Sequence, residues 1–160
     1  MDINIRRANP NEAQHLCALA IRSKAYWGYS KEFMESCLDE LLIPKENLEN
    51  DKFHYFVSEY KDKVVGYYAL ENQNNYHFEL EALFVEPNFI GQGIGKALIT
   101  HAKKIASDFG ASTIFIQGDP NAKRFYQAAG GTLIGEKESA SIPGRFLPTF
   151  KICLKINNTV

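Results

Sequence analysis

Apolar and polar residues repeat with two different periods along the chain, and these periods predict its strands and helices. Seven segments have the alternation or the β-branched and aromatic content of strands: residues 3–7, 54–60, 63–71, 76–85, 112–117, 133–139 and 146–156. Four segments have helical apolar spacing or helix start signals: residues 10–24, 30–43, 93–109 and 119–129. We therefore expect the order β α α β β β α β α β β.

The order of these elements predicts the class of fold. Several strands follow one another in the first half, with a tight hairpin turn at Lys61-Asp62, which favours antiparallel pairing. Two helical crossovers follow in the second half, and Gly110 is placed to end the first of them. The predicted class is α+β, with a mixed, largely antiparallel sheet of about seven strands and about four helices on its faces.

Length, charge and cysteine content narrow the class of protein. The chain has 160 residues, a net charge of −1 and 45% hydrophobic residues, which predicts a single domain over residues 1–160 with its own core. The near balance of charge argues against nucleic-acid binding, and no apolar run is long enough to predict a membrane span. Because there is no secretory signal and no C-x-x-C pair, we expect a cytoplasmic protein without a disulfide framework. The four histidines share no ligand spacing, so no metal site is expected.

The segment most informative about chemistry is a glycine-rich loop between a predicted strand and a predicted helix. It contains Gly91, Gly93 and Gly95, followed by Lys96. Glycines let the backbone turn tightly and approach a ligand closely. The first N–H groups of a helix have no acceptor within the helix, so together with the helix dipole they form a phosphate site.

Two common nucleotide-binding motifs fit this loop poorly. A Walker loop needs four residues between its glycines and a hydroxyl after its lysine, but the spacing from Gly91 to Gly95 is one residue short and Ala97 follows Lys96. A dinucleotide fingerprint needs a third glycine where Lys96 stands, and it follows the first strand of a fold. A nucleotide-binding protein therefore stays a weaker alternative.

Three segments in sequence match a known family better. Residues 90–95 match the pattern [QR]-x-x-G-x-[GA], except that Ile90 replaces the first polar residue. Residues 79–87 match E-L-x-x-L-[YF]-V-x-P, and residues 121–130 are similar to N-x-x-A-x-x-F-Y-x-x-x-G with a shifted alanine. Over about residues 53–135 the chain thus resembles the GNAT (GCN5-related) N-acetyltransferases.

The resemblance implies a GNAT fold, acetyl-CoA as the cofactor and an N-acetyltransferase as the enzyme. It also implies direct attack of an amine on the thioester in a ternary complex. The residues it assigns to the cofactor are Leu83, Phe84, Val85, Gly91, Gln92, Gly93, Ile94, Gly95, Lys96, Asn121 and Tyr126. A non-catalytic acyl-CoA-binding or regulatory module of the same fold is the main alternative.

Two residues are candidates for the chemistry itself. An alkylamine has a pKa near 10.4 and must lose a proton, so a base is needed. By resemblance Glu79 holds the position of the basic glutamate, with Glu81 or a water as the alternative. Strand alternation predicts that Glu79, Glu81, Leu83 and Val85 share one face. By resemblance Tyr126 is expected to lie near the thioester sulfur and to protonate or hydrogen-bond it as it departs.

The acceptor side is predicted from two variable segments. Tyr26, Trp27 and Tyr29 lie in a break between the first two helices and form either a pocket wall or an aromatic lid over the core. Arg145 lies in a Pro-Gly loop and either holds a carboxylate or phosphate of the acceptor or is solvated. We expect a small-molecule primary amine as the substrate, and the sequence leaves a homodimer open.

Overall fold

A computed structural model describes residues 1–154 and contains one seven-stranded sheet. The strands are β1 (Asn4–Arg7), β2 (Phe53–Tyr60), β3 (Lys63–Asn72), β4 (His77–Val85), β5 (Thr113–Gln117), β6 (Thr132–Glu138) and β7 (Phe146–Cys153). Their spatial order is β1-β2-β3-β4-β5-β7-β6. Within the described residues β4 and β5 are the only parallel neighbours, and the other five pairs are antiparallel. The predicted sheet is confirmed; residues 155 and 156 of its last predicted strand lie outside the described residues.

Five helices accompany the sheet: α1 (Ala13–Ala25), α2 (Lys31–Leu41), α3 (Lys45–Glu49), α4 (Ile94–Asp108) and α5 (Lys123–Ala128). Ser30 caps α2 by accepting a hydrogen bond from the Phe33 N–H at 3.1 Å. Short 3-10 turns that start at Pro10 and Pro120 precede α1 and α5, where the sequence predicted continuous helices. The short helix α3 was not predicted, because five residues are too few to show a helical period. None of these helices has the length and apolar run of a membrane span.

The two faces of the sheet carry separate apolar cores. The α4 face contains Phe78, Leu80, Leu98 and Phe150, all buried. The opposite face is covered by α1 and α2, whose buried side chains pack on strand residues such as Val57 and Tyr67. Because both faces are covered, the ends of the central strands are the natural place for a ligand.

The central pair of strands separates halfway along its length. Residues 77–80 of β4 pair with residues 113–116 of β5, and residues 81–85 have no strand partner on that side. Ala82 and Leu80 pair with two consecutive residues of β3, which leaves Glu81 between them without a partner. Glu81 therefore forms a β-bulge at the start of the gap. The bulge therefore marks the point where β4 leaves β5.

The bulge also changes which side chains share a face. Before it Phe78 and Leu80 enter the α4 core, whereas after it Leu83 and Val85 do so. The predicted common face of Glu79, Leu83 and Val85 is therefore wrong, because one extra residue reverses the alternation. Glu79 lies on the opposite face from Leu83 and Val85.

Candidate active site

A cavity of about 780 Å³ runs through the gap between β4 and β5. Residues 79–85 of β4 form its middle. The glycine loop, the start of α4 and α5 line one end, and residues from the α2–α3 junction with Tyr55 and Tyr67 line the other. The cavity therefore joins the predicted cofactor region to the predicted acceptor region.

The glycine loop has the geometry of an anion site. Gly91 and Gly93 have φ angles of 84° and 87°, in the left-handed region that favours glycine. Gly93 precedes the first residue of α4, so the N–H groups of the first helical turn point out of the helix without an intrahelical acceptor. The absence of a side chain at Gly95 lets the ring of Phe125 approach, since a Cβ there would lie 3.2 Å from it.

The open edge of β4 presents free backbone groups to the cavity. The Glu86 N–H donates to the Val65 carbonyl on β3 at 2.8 Å. Along a strand the backbone groups of successive residues point alternately to the two neighbours, so every second residue before Glu86, starting with the one next to it, directs its N–H and C=O to the gap. These are Leu83 and Val85. The Val85 N–H already donates to Ser23 Oγ of α1 at 3.3 Å, so the Leu83 backbone groups are the ones left for a ligand. An extended amide-bearing chain such as pantetheine fits this edge as an added strand would. Both features, the edge and the glycine loop, fit a coenzyme A thioester.

Most residues predicted for the cofactor line the cavity; they are Leu83, Phe84, Val85, Gly91, Gly93, Gly95, Lys96, Asn121 and Tyr126. Gln92 and Ile94 are not among the lining residues. The Gln92 side chain donates to the Asn88 carbonyl at 3.1 Å, and the Ile94 side chain is buried in the core. At Ile94 only the backbone is available to a ligand.

Three carboxylates meet at the acceptor end of β4. Oxygens of Glu71, Glu79 and Glu81 all lie within 4.8 Å of one another. Lys52 forms an ion pair with Glu71 at 2.8 Å, and the Gln73 side-chain amide donates to Glu79 at 3.0 Å. They are the one group of potential metal ligands among the described residues, and Lys52 already balances part of their charge.

The carboxylates of this cluster cannot all ionise at neutral pH. Although the Glu81 residue as a whole is exposed, desolvation of its carboxyl, its hydrogen bond to Glu71 and the charges of Glu79 and Glu71 raise its pKa to about 8. Desolvation and the charge of Glu71 also raise the pKa of Glu79. The hydrogen bond from Glu81 and the nearby Lys52 lower the pKa of Glu71. The cluster thus holds a proton near neutrality and can exchange it, as a base for an ammonium must.

Tyr126 lies on α5 at the donor end of the cavity and is only 7% exposed. Burial, assisted by the charge of Asp119, raises the pKa of its phenol far above the ordinary value. The hydroxyl therefore stays protonated and can act as a hydrogen-bond donor or an acid, but not as a base.

The predicted acceptor residues separate into two groups. Trp27 and Arg145 line the cavity, whereas Tyr26 and Tyr29 do not. Tyr26 is 53% exposed and packs edge to face with Trp27. The Tyr29 hydroxyl donates to Asp119 at 2.7 Å, and burial with this hydrogen bond raises its pKa to about 12.

Sequence reasoning missed several residues of the site because non-local contacts bring them there. Glu71 joins the cluster because β3 pairs it directly with Glu79, and only the hairpin register gives that neighbour. Lys24 comes from the last turn of α1 and Asp119 from the loop after β5, and the sequence predicted Asp119 only as a helix start.

A gap in the sheet, a glycine loop at a helix N-terminus and a proton-holding cluster define an acyltransferase that takes its acyl group from a coenzyme A thioester. A sequence model of the Acetyltransferase (GNAT) family matches residues 19–130. The chain belongs to this family, and it is an acetyltransferase with acetyl-CoA as its cosubstrate.

The chain is similar to characterised and solved proteins over almost its whole length. It is 31% identical over 139 residues to the peptidyl-lysine N-acetyltransferase YjaB of Salmonella typhimurium, covering 86% of this chain and 89% of the relative. The Escherichia coli protein of the same name is 28% identical, with 86% and 88% covered. The structure of the PaiA N-acetyltransferase of Thermoplasma acidophilum, in complex with coenzyme A, aligns with a TM-score of 0.78 at 21% identity. That alignment covers 96% of this chain and 99% of the PaiA chain, and it supports the fold.

Proposed function

We propose that this enzyme acetylates a primary amine whose ammonium group enters the cavity beside Glu71, Glu79 and Glu81. The observation that carries the proposal is that Glu79 and Glu81 line the same cavity as the open edge of β4 and that a carboxylate oxygen of Glu71 lies within 4.8 Å of theirs. A cluster that holds one proton and surplus negative charge attracts a cation and can then deprotonate it. A primary alkylamine is the acceptor that needs both actions.

The residues of the chain have separate tasks in this transfer. When bound, acetyl-CoA supplies the acetyl thioester. The N–H of Leu83 on the open edge of β4 polarises the thioester carbonyl, as an oxyanion donor does. The Glu79–Glu81 pair takes the proton of the amine, and the pKa of about 8 favours Glu81 over the sequence-predicted Glu79 for this role. Tyr126 donates its proton to the departing sulfur, and the second proton of the attacking nitrogen returns to the phenol, so that the tyrosine ends neutral.

Direct attack of the amine in a ternary complex is part of the proposal. A covalent acetyl-enzyme needs a nucleophile at the thioester, and cysteine is the usual one. None of Cys17, Cys37 and Cys153, all within the described residues, lines the cavity. Cys37 is fully buried, and the Cys17 sulfur accepts a hydrogen bond from the Ile43 N–H.

The carrier of the amine has two candidates. The apolar and aromatic wall of the cavity, with Tyr55, Tyr67 and Leu41, suits the alkyl part of a small-molecule amine, as the sequence predicts. The similarity to YjaB, whose name specifies peptidyl-lysine, favours a lysine side chain of a peptide as the second candidate. Both carriers present the same alkylammonium group.

A matched acceptor panel distinguishes the carriers. Free thiol release from acetyl-CoA is measured with 1,5-diaminopentane and with a lysine-containing peptide, and product masses are recorded. Acetylation of the diamine with the higher kcat/KM supports the small-molecule acceptor, and the reverse order supports the peptide. If neither amine gains an acetyl group, the proposed function is wrong.

The single domain over residues 1–160, the cytoplasmic location and the homodimer remain predictions. Cooperative unfolding with coincident far- and near-ultraviolet circular dichroism would support the single domain. Sedimentation equilibrium distinguishes a monomer from a dimer.

A further inference from the structure

Two cations share one carboxylate at the mouth of the cavity. Lys24 Nζ lies 3.8 Å from Asp119 Oδ2, and an Arg145 guanidinium nitrogen lies 3.7 Å from the same oxygen. The three side chains are only 12%, 18% and 17% exposed for Lys24, Arg145 and Asp119. All three line the cavity, so this group carries one surplus positive charge beside it.

Both oxygens of Asp119 already accept hydrogen bonds from neutral donors. Its oxygens already accept hydrogen bonds from the Tyr29 hydroxyl at 2.9 and 2.7 Å. They also accept from the Asn121 backbone N–H and side-chain amide at 2.8 and 2.9 Å. The ion pairs to Lys24 and Arg145 therefore remain longer than hydrogen bonds.

The donors of the two cations are mostly unused within the described residues. A guanidinium has five N–H donors, and Arg145 donates one hydrogen bond, to the Tyr29 hydroxyl at 3.0 Å. The Lys24 ammonium makes no hydrogen bond to another described residue and only its ion pair to Asp119. Glu40 also lines the cavity but pairs with neither cation within 4.0 Å. Donors that are little exposed and face a cavity point to an acceptor brought by a ligand.

Aromatic rings hold the two cations in place. Tyr29 and Phe33 stack with ring centroids 4.1 Å apart. The Arg145 guanidinium carbon lies 4.7 Å from the Phe33 centroid, and the Lys24 nitrogen lies 5.7 Å from the Tyr29 centroid. Cation–π contacts orient a cation without consuming its charge, so the positive charge stays available to a ligand.

We infer that Lys24 and Arg145 bind a carboxylate of the acceptor, so that the substrate carries both a primary amine and a carboxylate. The inference rests on the proposed function, which places the amine at the glutamate cluster of the same cavity. One surplus charge matches the single charge of a carboxylate, and a planar guanidinium binds its two oxygens well. The carboxylate belongs either to a free amino acid or to a peptide.

Pairs of acceptors that differ only in the carboxylate test this inference. For the free source, kcat/KM is measured with L-lysine and with 1,5-diaminopentane, which lacks its carboxylate. For the peptide source, a short peptide with a C-terminal lysine is compared as the free acid and as the amide. We expect the carboxylate form of one pair to be preferred by about tenfold or more, as for charge-assisted hydrogen bonds.

Variants connect the preference to the two cations. Arg145→Gln and Lys24→Met are each expected to reduce the preference, by raising the KM for the acceptor that carries the carboxylate more than the KM for its partner without one. Lys104→Gln serves as the control, because the Lys104 side chain is 73% exposed on α4, where it forms an ion pair with Asp108. Thermal unfolding shows whether each variant is folded, and having two variants keeps the test valid if one is not.

The outcomes separate the inference from the proposed function. Equal kcat/KM within both acceptor pairs, or an unchanged preference in folded Arg145→Gln and Lys24→Met, overturns the carboxylate site while acetylation of amines stands. No acetylation of any amine in the panel overturns the proposed function and the inference together.

Discussion

Glu81 combines an irregular backbone position with a carboxyl whose pKa is about 8. Below that pH the carboxyl holds a proton and cannot accept another from the amine. We therefore predict that kcat/KM of the wild type rises with pH and levels off above about pH 8. Glu81→Gln is expected to remove this rise and to lower kcat/KM at pH 8 by about 100-fold. Initial rates at saturating acetyl-CoA check this.

A proper control accounts for deprotonation of the free amine, which also raises the rate with pH. The profile of Glu35→Gln, an exposed residue of α2 away from the cavity, gives that background. If Glu81→Gln keeps the wild-type profile and Glu79→Gln loses it, Glu79 is the base, as its sequence position predicts. If both variants keep the profile, the cluster does not act as the base.

The same carboxyl links stability to pH. Its pKa in the folded protein, about 8, exceeds its ordinary value of 4.5, so the folded state binds the proton more tightly. The contribution of Glu81 to stability is therefore fully present below about pH 4.5 and is lost as the pH rises towards 8. We predict that the unfolding midpoint of Glu81→Gln rises relative to wild type as the pH goes from 5 to 9. A constant difference across this range would contradict the raised pKa.

Tyr126 is protonated, buried and at the donor end of the cavity, so its role is to give a proton. We predict that Tyr126→Phe lowers kcat by about 100-fold, a typical loss for a general acid, with an unchanged KM for acetyl-CoA. Tyr68→Phe is the control, because Tyr68 is also buried but bonds to His101 at 2.6 Å outside the cavity. Equal kcat values for Tyr126→Phe and wild type would remove Tyr126 from the chemistry.

At the scale of elements, the two ends of α4 offer a matched pair of glycines. Gly93 before the helix and Gly110 after it have φ angles of 87° and 86°, and a Cβ at either would meet no atom within 4 Å. Alanine at either position costs about 1–2 kcal/mol of backbone strain. Only Gly93 lies at the N–H groups that we assign to phosphate.

We predict that Gly93→Ala raises the KM for acetyl-CoA about tenfold or more, because about 1.4 kcal/mol of lost phosphate binding has that effect. Gly110→Ala is expected to lose similar stability and to keep the wild-type KM. Both quantities come from thermal unfolding and steady-state kinetics. Equal KM values for the two variants would contradict phosphate binding at the loop.

Elements with a strong local pattern could be predicted from the sequence, and elements defined by pairing could not. Helix α4 and the hairpin at Lys61-Asp62 could be predicted because each depends on residues close together in sequence. In the hairpin both turn residues adopt positive φ angles. The bulge at Glu81 has no local signature, since it depends on how β3 registers with β4. That bulge is why the predicted common face of Glu79 and Leu83 failed.

For the whole molecule, the donor half of the cavity was more predictable than the acceptor half. The glycine loop and residues 83–85 are contiguous and carry their chemistry largely in the backbone, so a motif is enough to find them. The acceptor half brings Lys24 of α1 together with Asp119 and Arg145, which come from two loops far apart in sequence. Its charge balance appears only when the chain is folded.

The central claim is that acetyl leaves acetyl-CoA for a primary amine bound in this cavity. The most direct measurement compares the preferred amine with its N,N-dimethyl analogue at saturating acetyl-CoA, following free thiol and acetylated product together. We predict one acetylated amine for each thiol released from the primary amine, and only background thiol release with the analogue. Equal thiol release with both compounds, or thiol release without acetylated amine, would contradict the account.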